Sequence, residues 1–104
     1  MTHVEVNPGV CGLMTVIRAQ SDNDGLVRLE VEGECPAVKR LAECLGAMDP
    51  YTEGGTIFKS SVYKAADTCL KHPECIVPAA MIRAVNVEAG LALPKEAWIR
   101  IIKE

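Results

Sequence analysis

The chain has 104 residues, which suits one domain able to bury a single core without disulfides. Its net charge is −3 and it has no basic stripe or block of like charges, which argues against a nucleic acid as its partner. The longest apolar stretch, residues 76–93, is broken by Pro78 and by charged residues, so we expect no membrane span and a cytoplasmic location.

The N-terminal third of the chain has the pattern of a β-hairpin. After a short strand at residues 3–7, apolar alternation predicts two strands, 13–20 and 26–32, on either side of a polar turn. If residues of these two strands pair so that their numbers sum to 46, one face of the hairpin is apolar. This pairing also sets Arg18 opposite Arg28, a conflict that a register slip or a bulge would remove.

Three helices are predicted after the hairpin. Pro36 occupies the first position of the first helix, which makes Cys35 a candidate N-cap. The second helix covers residues 61–70 and ends ahead of Pro73, because a residue before proline avoids helical geometry. The third helix has Pro78 in its first turn and is rich in alanine and branched residues, so we expect it to be the buried central helix.

Two further segments complete the predicted architecture. Residues 52–55 read as a glycine-containing loop, and residues 98–102 read as a last strand that pairs with the first strand or the hairpin. The sequence therefore predicts a single α+β domain over residues 1–104. It should contain a small antiparallel sheet of three to four strands, with about three helices packed on one face.

The cysteines set the functional expectation, because five thiols in a reducing compartment favour ligands or reactive groups over stable disulfides. Cys11 and Cys35 are each twelve residues from Asn23, the middle of the predicted turn, so the hairpin should bring them together. Cys75 joins them if the third helix packs across the sheet. With His72 or Cys69 as a fourth donor, the set suits zinc or an iron-sulfur cluster.

These motifs resemble the U-type iron-sulfur cluster scaffold family, IscU and the N-terminal domain of NifU. The shared pattern is Cys-Gly opening a hairpin, Gly-x-Cys opening a helix, and a His/Cys pair opening an alanine-rich helix. In this chain the matching residues are Cys11-Gly12, Gly33-Glu34-Cys35 and His72-Pro73-Glu74-Cys75.

The resemblance implies that Cys11, Cys35, Cys75 and His72 bind zinc or an assembling cluster. It also implies a scaffold or carrier role, with a protein partner for cluster or sulfur transfer. The likeness is distant. Leu13 stands where the family usually has an aspartate, and two residues separate the histidine from the cysteine that it adjoins in the family.

Two other functions fit the same residues. In a thiol-redox or sulfur-carrier protein, Cys11 and Cys35 would alternate between dithiol and disulfide, with Cys75 as the resolving thiol. In a binding or assembly module the cysteines would only pack, and the loop from Tyr51 to Phe58 would be the contact surface. Cys44, in the first helix, is expected to be a core residue. No feature requires catalysis, so the sequence leaves enzyme status open.

Overall fold

The computed structural model describes all 104 residues. Three antiparallel strands form one sheet in the order β1-β2-β3, with β1 at Thr2–Val6, β2 at Thr15–Ser21 and β3 at Val27–Gly33. The helices that follow are α1 (Pro36–Glu43), α2 (Pro50–Glu53), α3 (Ser61–Cys69) and α4 (Val77–Glu88), with a 3-10 turn at Ile57–Lys59. The α+β prediction is confirmed. None of these helices has the length and apolar character needed to cross a membrane.

The register of the hairpin differs from the predicted one by two residues. Arg18 lies opposite Glu30, so that paired numbers in β2 and β3 sum to 48. The predicted contact between Arg18 and Arg28 is replaced by opposite charges, and Arg18 also forms a 2.8 Å ion pair with Glu32. Because side chains alternate between the two faces of a strand, a shift of two keeps the same residues on the apolar face.

Asp22 sets the observed register. Its backbone N–H donates to the carbonyl of Leu26 at 2.9 Å, and its Oδ1 accepts from the N–H groups of Asp24 and Leu26 at 2.9 and 3.0 Å. Such a side-chain-to-backbone turn is a common use of aspartate. It centres the turn on Asp24 instead of Asn23, which accounts for the two-residue difference.

The helices cover one face of the sheet. α4 lies across β1 and β2, while α1 packs against β3 and α3. Thirteen buried apolar residues form the core: Val6, Ile17, Ala19, Val27, Val38, Leu41, Met48, Val62, Ala66, Val77, Met81, Ala84 and Val85. α4 supplies four of them, as expected for the central helix.

The segment between α1 and α3 is more ordered than the sequence pattern indicates. The prediction of a loop at residues 52–55 is wrong for residues 52 and 53, which belong to the one-turn helix Pro50–Glu53. Asp49 caps this helix. The carboxylate of Glu53 is buried and accepts a 2.7 Å hydrogen bond from the hydroxyl of Ser60. An Asp-Pro pair is a good start for a helix, and here it begins one.

The predicted fourth strand is absent. Residues 98–102 have no regular structure, and the side chains of Trp98 and Ile101 are 85% and 88% exposed. The prediction is wrong because apolar alternation is a local property, whereas a strand also needs an edge to pair with.

Candidate metal site

Cys11, Cys35, His72 and Cys75 border one cavity of about 200 Å³. The cavity lies at the open end of the hairpin, between the loop after β1, the start of α1 and the segment that joins α3 to α4. Its remaining wall is mostly apolar and is formed by Pro8, Leu13, Thr15, Ala37, Val38, Leu70 and Lys71. Four of the five predicted ligands therefore face a common concave surface.

Cys11 lies in the loop between β1 and β2. The N–H of Gly12 donates to the carbonyl of Gly9 at 3.0 Å, which closes a four-residue turn with Cys11 near its centre. Gly9 has a φ of 90°, a conformation that side-chain-bearing residues rarely adopt. Cys11 is exposed, and its turn makes the thiol accessible from solvent.

Cys35 is the N-cap residue of α1, as predicted. Its backbone is extended, with φ −76° and ψ 113°, and its side chain makes no capping hydrogen bond. The sulfur is thus not committed to the backbone of its own helix. The thiol is half-buried and packs against the core, which gives it a more defined position than Cys11 has.

His72 and Cys75 lie on the short segment between α3 and α4. His72 is exposed, and Pro73 after it prevents α3 from continuing. Cys75 is half-buried and contacts the core just before α4 begins. Both residues also border a second cavity of about 350 Å³, which Tyr63 and Asp67 help to form and which Cys11 and Cys35 do not reach.

The four donors share a cavity, but they are not assembled at bonding distance. No three of the histidine, cysteine, aspartate and glutamate side chains lie close enough together to hold a metal ion. The chemistry of the donors fits zinc or a cluster, since thiolate and imidazole are the ligands that both prefer. Metal binding at this cavity therefore requires its walls to move inward.

Cys69, the fifth predicted ligand, lies outside this cavity. Its Sγ is 3.9 Å from the Sγ of Cys44, where the ends of α3 and α1 meet. Cys44 is exposed, so the prediction that it packs in the core is wrong. The helical spacing put Cys44 near an apolar face, but α1 ends at Glu43 and leaves Cys44 as the C-cap at the surface.

Lys71 is a charged residue of the cavity wall that the sequence analysis did not identify. It contributes the only lysine or arginine side chain to the wall of the cavity, directly before His72. Its position next to a predicted ligand was a usable signal. By contrast, Pro8 and Leu70 line the cavity only because the chain folds them there, and no motif marked them.

The profile of a family of unknown function (DUF6951) matches residues 2–101. Comparison with curated proteins and comparison with solved structures each gave no significant match. The family match covers every strand and helix of the fold and every residue of the cavity wall.

Proposed function

We propose a metal-binding role for this chain, which belongs to the DUF6951 family of unknown function. It holds zinc or an iron-sulfur cluster through Cys11, Cys35, Cys75 and His72, in a scaffold or carrier role in the cytoplasm, and passes the cluster or sulfur to a protein partner. The observation that supports this role is the single cavity bordered by three thiols and an imidazole. Three thiolates and one imidazole suit a tetrahedral ion, and three thiolates suit a cluster.

Binding requires two of the donors to approach the other two. Zinc–sulfur and zinc–nitrogen bonds are about 2.3 and 2.1 Å long, so all four donors must converge on one point. Cys35 and Cys75 are half-buried next to the starts of helices, whereas Cys11 and His72 are exposed on segments without regular structure. The exposed pair therefore closes over the packed pair, and ligand binding and local ordering occur together.

The surroundings of the cavity suit a negatively charged centre. Lys71 borders the cavity and carries a positive charge, and Cys35 stands at the N-terminus of α1, where the helix dipole is positive. Both offset the charge of metal-bound thiolates. The apolar part of the wall, including Leu13 and Leu70, limits the access of water to a bound cluster.

The test is metal and acid-labile sulfide analysis of anaerobically purified protein, together with its absorption spectrum. We expect about one metal site per chain, since one set of four donors serves one ion or cluster. A brown chromophore with sulfide identifies a cluster, and a colourless protein with zinc identifies a zinc site. Cys35→Ser should remove most of the bound metal.

The control variants use cysteines that lie outside the cavity. Cys44→Ser and Cys69→Ser should keep the metal content of the wild-type protein, whereas His72→Ala should lower it. Loss of metal from Cys69→Ser but not from His72→Ala would assign the fourth ligand to Cys69. Metal-free protein from both aerobic and anaerobic preparations would overturn the metal-binding role.

A thiol-redox or sulfur-carrier function is the second candidate, and the same cavity supports it because three thiols border it. In that case Cys11 and Cys35 would oxidise reversibly in protein that never contained metal, with Cys75 as the resolving thiol. Metal analysis and thiol counts on one preparation separate the two functions.

A further inference from the structure

We propose that Cys44 and Cys69 form a redox-active pair that closes to an intramolecular disulfide when the protein meets a peroxide. Neither residue borders the cavity of the proposed metal site, so this inference stands apart from metal binding. The two sulfur atoms are 3.9 Å apart and nothing separates them.

The distance favours bond formation by a small movement. A disulfide bond is about 2.05 Å long, so the two sulfur atoms must approach by about 1.9 Å. Both cysteines are at helix ends, Cys44 as the C-cap of α1 and Cys69 as the last residue of α3. Terminal turns yield more readily than helix interiors, and α1 and α3 already pack against each other.

The two thiols differ in access, which assigns their order of reaction. Cys44 is exposed and meets the oxidant first, whereas Cys69 is half-buried. Partial burial raises the pKa of the Cys69 thiol, the hydrogen bond and charge of Cys44 add to the rise, and Arg40 opposes it. Because Cys69 is the less accessible thiol, it takes the resolving role and attacks Cys44 after Cys44 has been oxidised.

The reaction balances with one peroxide. The sulfur of Cys44 attacks one peroxide oxygen, the O–O bond breaks, and an alcohol or water leaves while Cys44 becomes a sulfenic acid. The sulfur of Cys69 then attacks the sulfur of Cys44 and expels water. Two thiols have lost two electrons and two protons, and the peroxide has been reduced. A reducing thiol such as dithiothreitol reverses the change.

The product would join α1 to the end of α3 across 25 residues of chain. A cross-link of this length restricts the unfolded chain and should raise the melting temperature. Cys69 also directly precedes Leu70, Lys71 and His72 in the chain, which border the thiol cavity. The disulfide would therefore fix one end of that wall.

Peptide mapping tests the pairing directly, because trypsin separates all five cysteines into different peptides. Reduced, EDTA-treated wild-type protein is exposed to hydrogen peroxide, blocked with N-ethylmaleimide and digested without reductant. We expect peptide 41–59 linked to peptide 65–71, with Cys11, Cys35 and Cys75 still carrying maleimide. A non-reducing gel should show a monomer.

The variants provide the controls. Cys44→Ser and Cys69→Ser should each lose the cross-link and the dithiothreitol-sensitive rise in melting temperature, whereas Cys75→Ser should keep both. Maleimide on both peptides after oxidation would overturn the proposal, as would linkage of either peptide to another cysteine or to a second chain. Peptide mapping of the wild-type protein tests the disulfide even if a variant folds poorly. The protein is treated with EDTA beforehand, so the outcome does not depend on its metal content.

Discussion

At the scale of single residues, Glu88 connects the last helix to the sheet. Its carboxylate accepts hydrogen bonds from the backbone N–H and hydroxyl of Ser21 at 2.9 and 3.0 Å and from the hydroxyl of Thr2 at 2.8 Å. The Ser21 N–H holds the pKa of this carboxyl below its ordinary value of 4.5, the hydroxyls act in the same direction, and partial burial opposes them. One side chain thus joins α4 to β1 and β2.

We expect Glu88→Gln to lower the free energy of unfolding at pH 7 by about 1 kcal/mol, since the charge-assisted part of these bonds is lost but solvent screens it. The pKa of Glu88 is lower in the folded state, so its contribution is present above pH 4.5 and is lost as the pH falls through the folded value. Urea unfolding at pH 7 and pH 3 should therefore show a difference between variant and wild type that shrinks in acid.

The matched control for that measurement is Glu96→Gln, because Glu96 is exposed and has no hydrogen bond or ion pair. The free energy of unfolding of Glu96→Gln should match that of the wild type at both pH values. If Glu88→Gln lowered the free energy of unfolding equally at pH 7 and pH 3, the carboxylate charge would contribute nothing to stability.

At the scale of elements, the end of the hairpin determines where Cys35 stands. Gly33 pairs with Thr15 at the last position of β3, two residues before Cys35. A Cβ atom at residue 33 would lie 2.7 Å from the carbonyl oxygen of Met14 and 3.4 Å from the Cα of Thr15. The close approach of two backbones therefore requires glycine here.

Gly33→Ala should lower the free energy of unfolding by about 1–3 kcal/mol, because the added methyl group meets backbone atoms that cannot rotate away. Gly46→Ala is the matched control, since nothing lies within 4 Å of its Cβ position and its φ is not positive. Chemical denaturation of both variants measures the contrast. Equal stability of Gly33→Ala and Gly46→Ala would mean that β2 and β3 can move apart at this end without loss of folding free energy.

At the scale of the whole molecule, the core is complete before the chain reaches residue 95. The thirteen core residues end at Val85, and residues 92–104 are all exposed. The apolar side chains of this tail, including Trp98 and Ile101, therefore contribute little to the folded state.

Removing residues 95–104 should change the melting temperature by less than about 2 °C, because no core contact or long-range hydrogen bond is lost. Thermal unfolding followed by circular dichroism compares the truncated and full-length chains. A fall of several degrees would mean that the tail packs on the domain, as the predicted fourth strand required.

Local sequence signals predicted much of the secondary structure of this fold. Pro36 and Pro78 marked the starts of two helices, Pro73 explained the end of another, and alternation identified the hairpin strands with the correct apolar face. Such signals depend on φ restriction and side-chain direction, which act within a few residues. The spacing of Cys11 and Cys35 about the hairpin predicted that these two thiols meet, whereas Cys75 and His72 were expected to join them only if the third helix packs across the sheet.

Contacts between distant residues were decided only by the tertiary structure. The register depended on the hydrogen bonds that the Asp22 side chain accepts in the turn. The prediction from sequence had instead centred the turn on Asn23, midway between Cys11 and Cys35. The 3.9 Å contact of Cys44 with Cys69 depended on how α1 meets α3. Residue types and spacing determine which side chains are chemically able to act, but distances between elements follow from packing of the whole core, which no local pattern specifies.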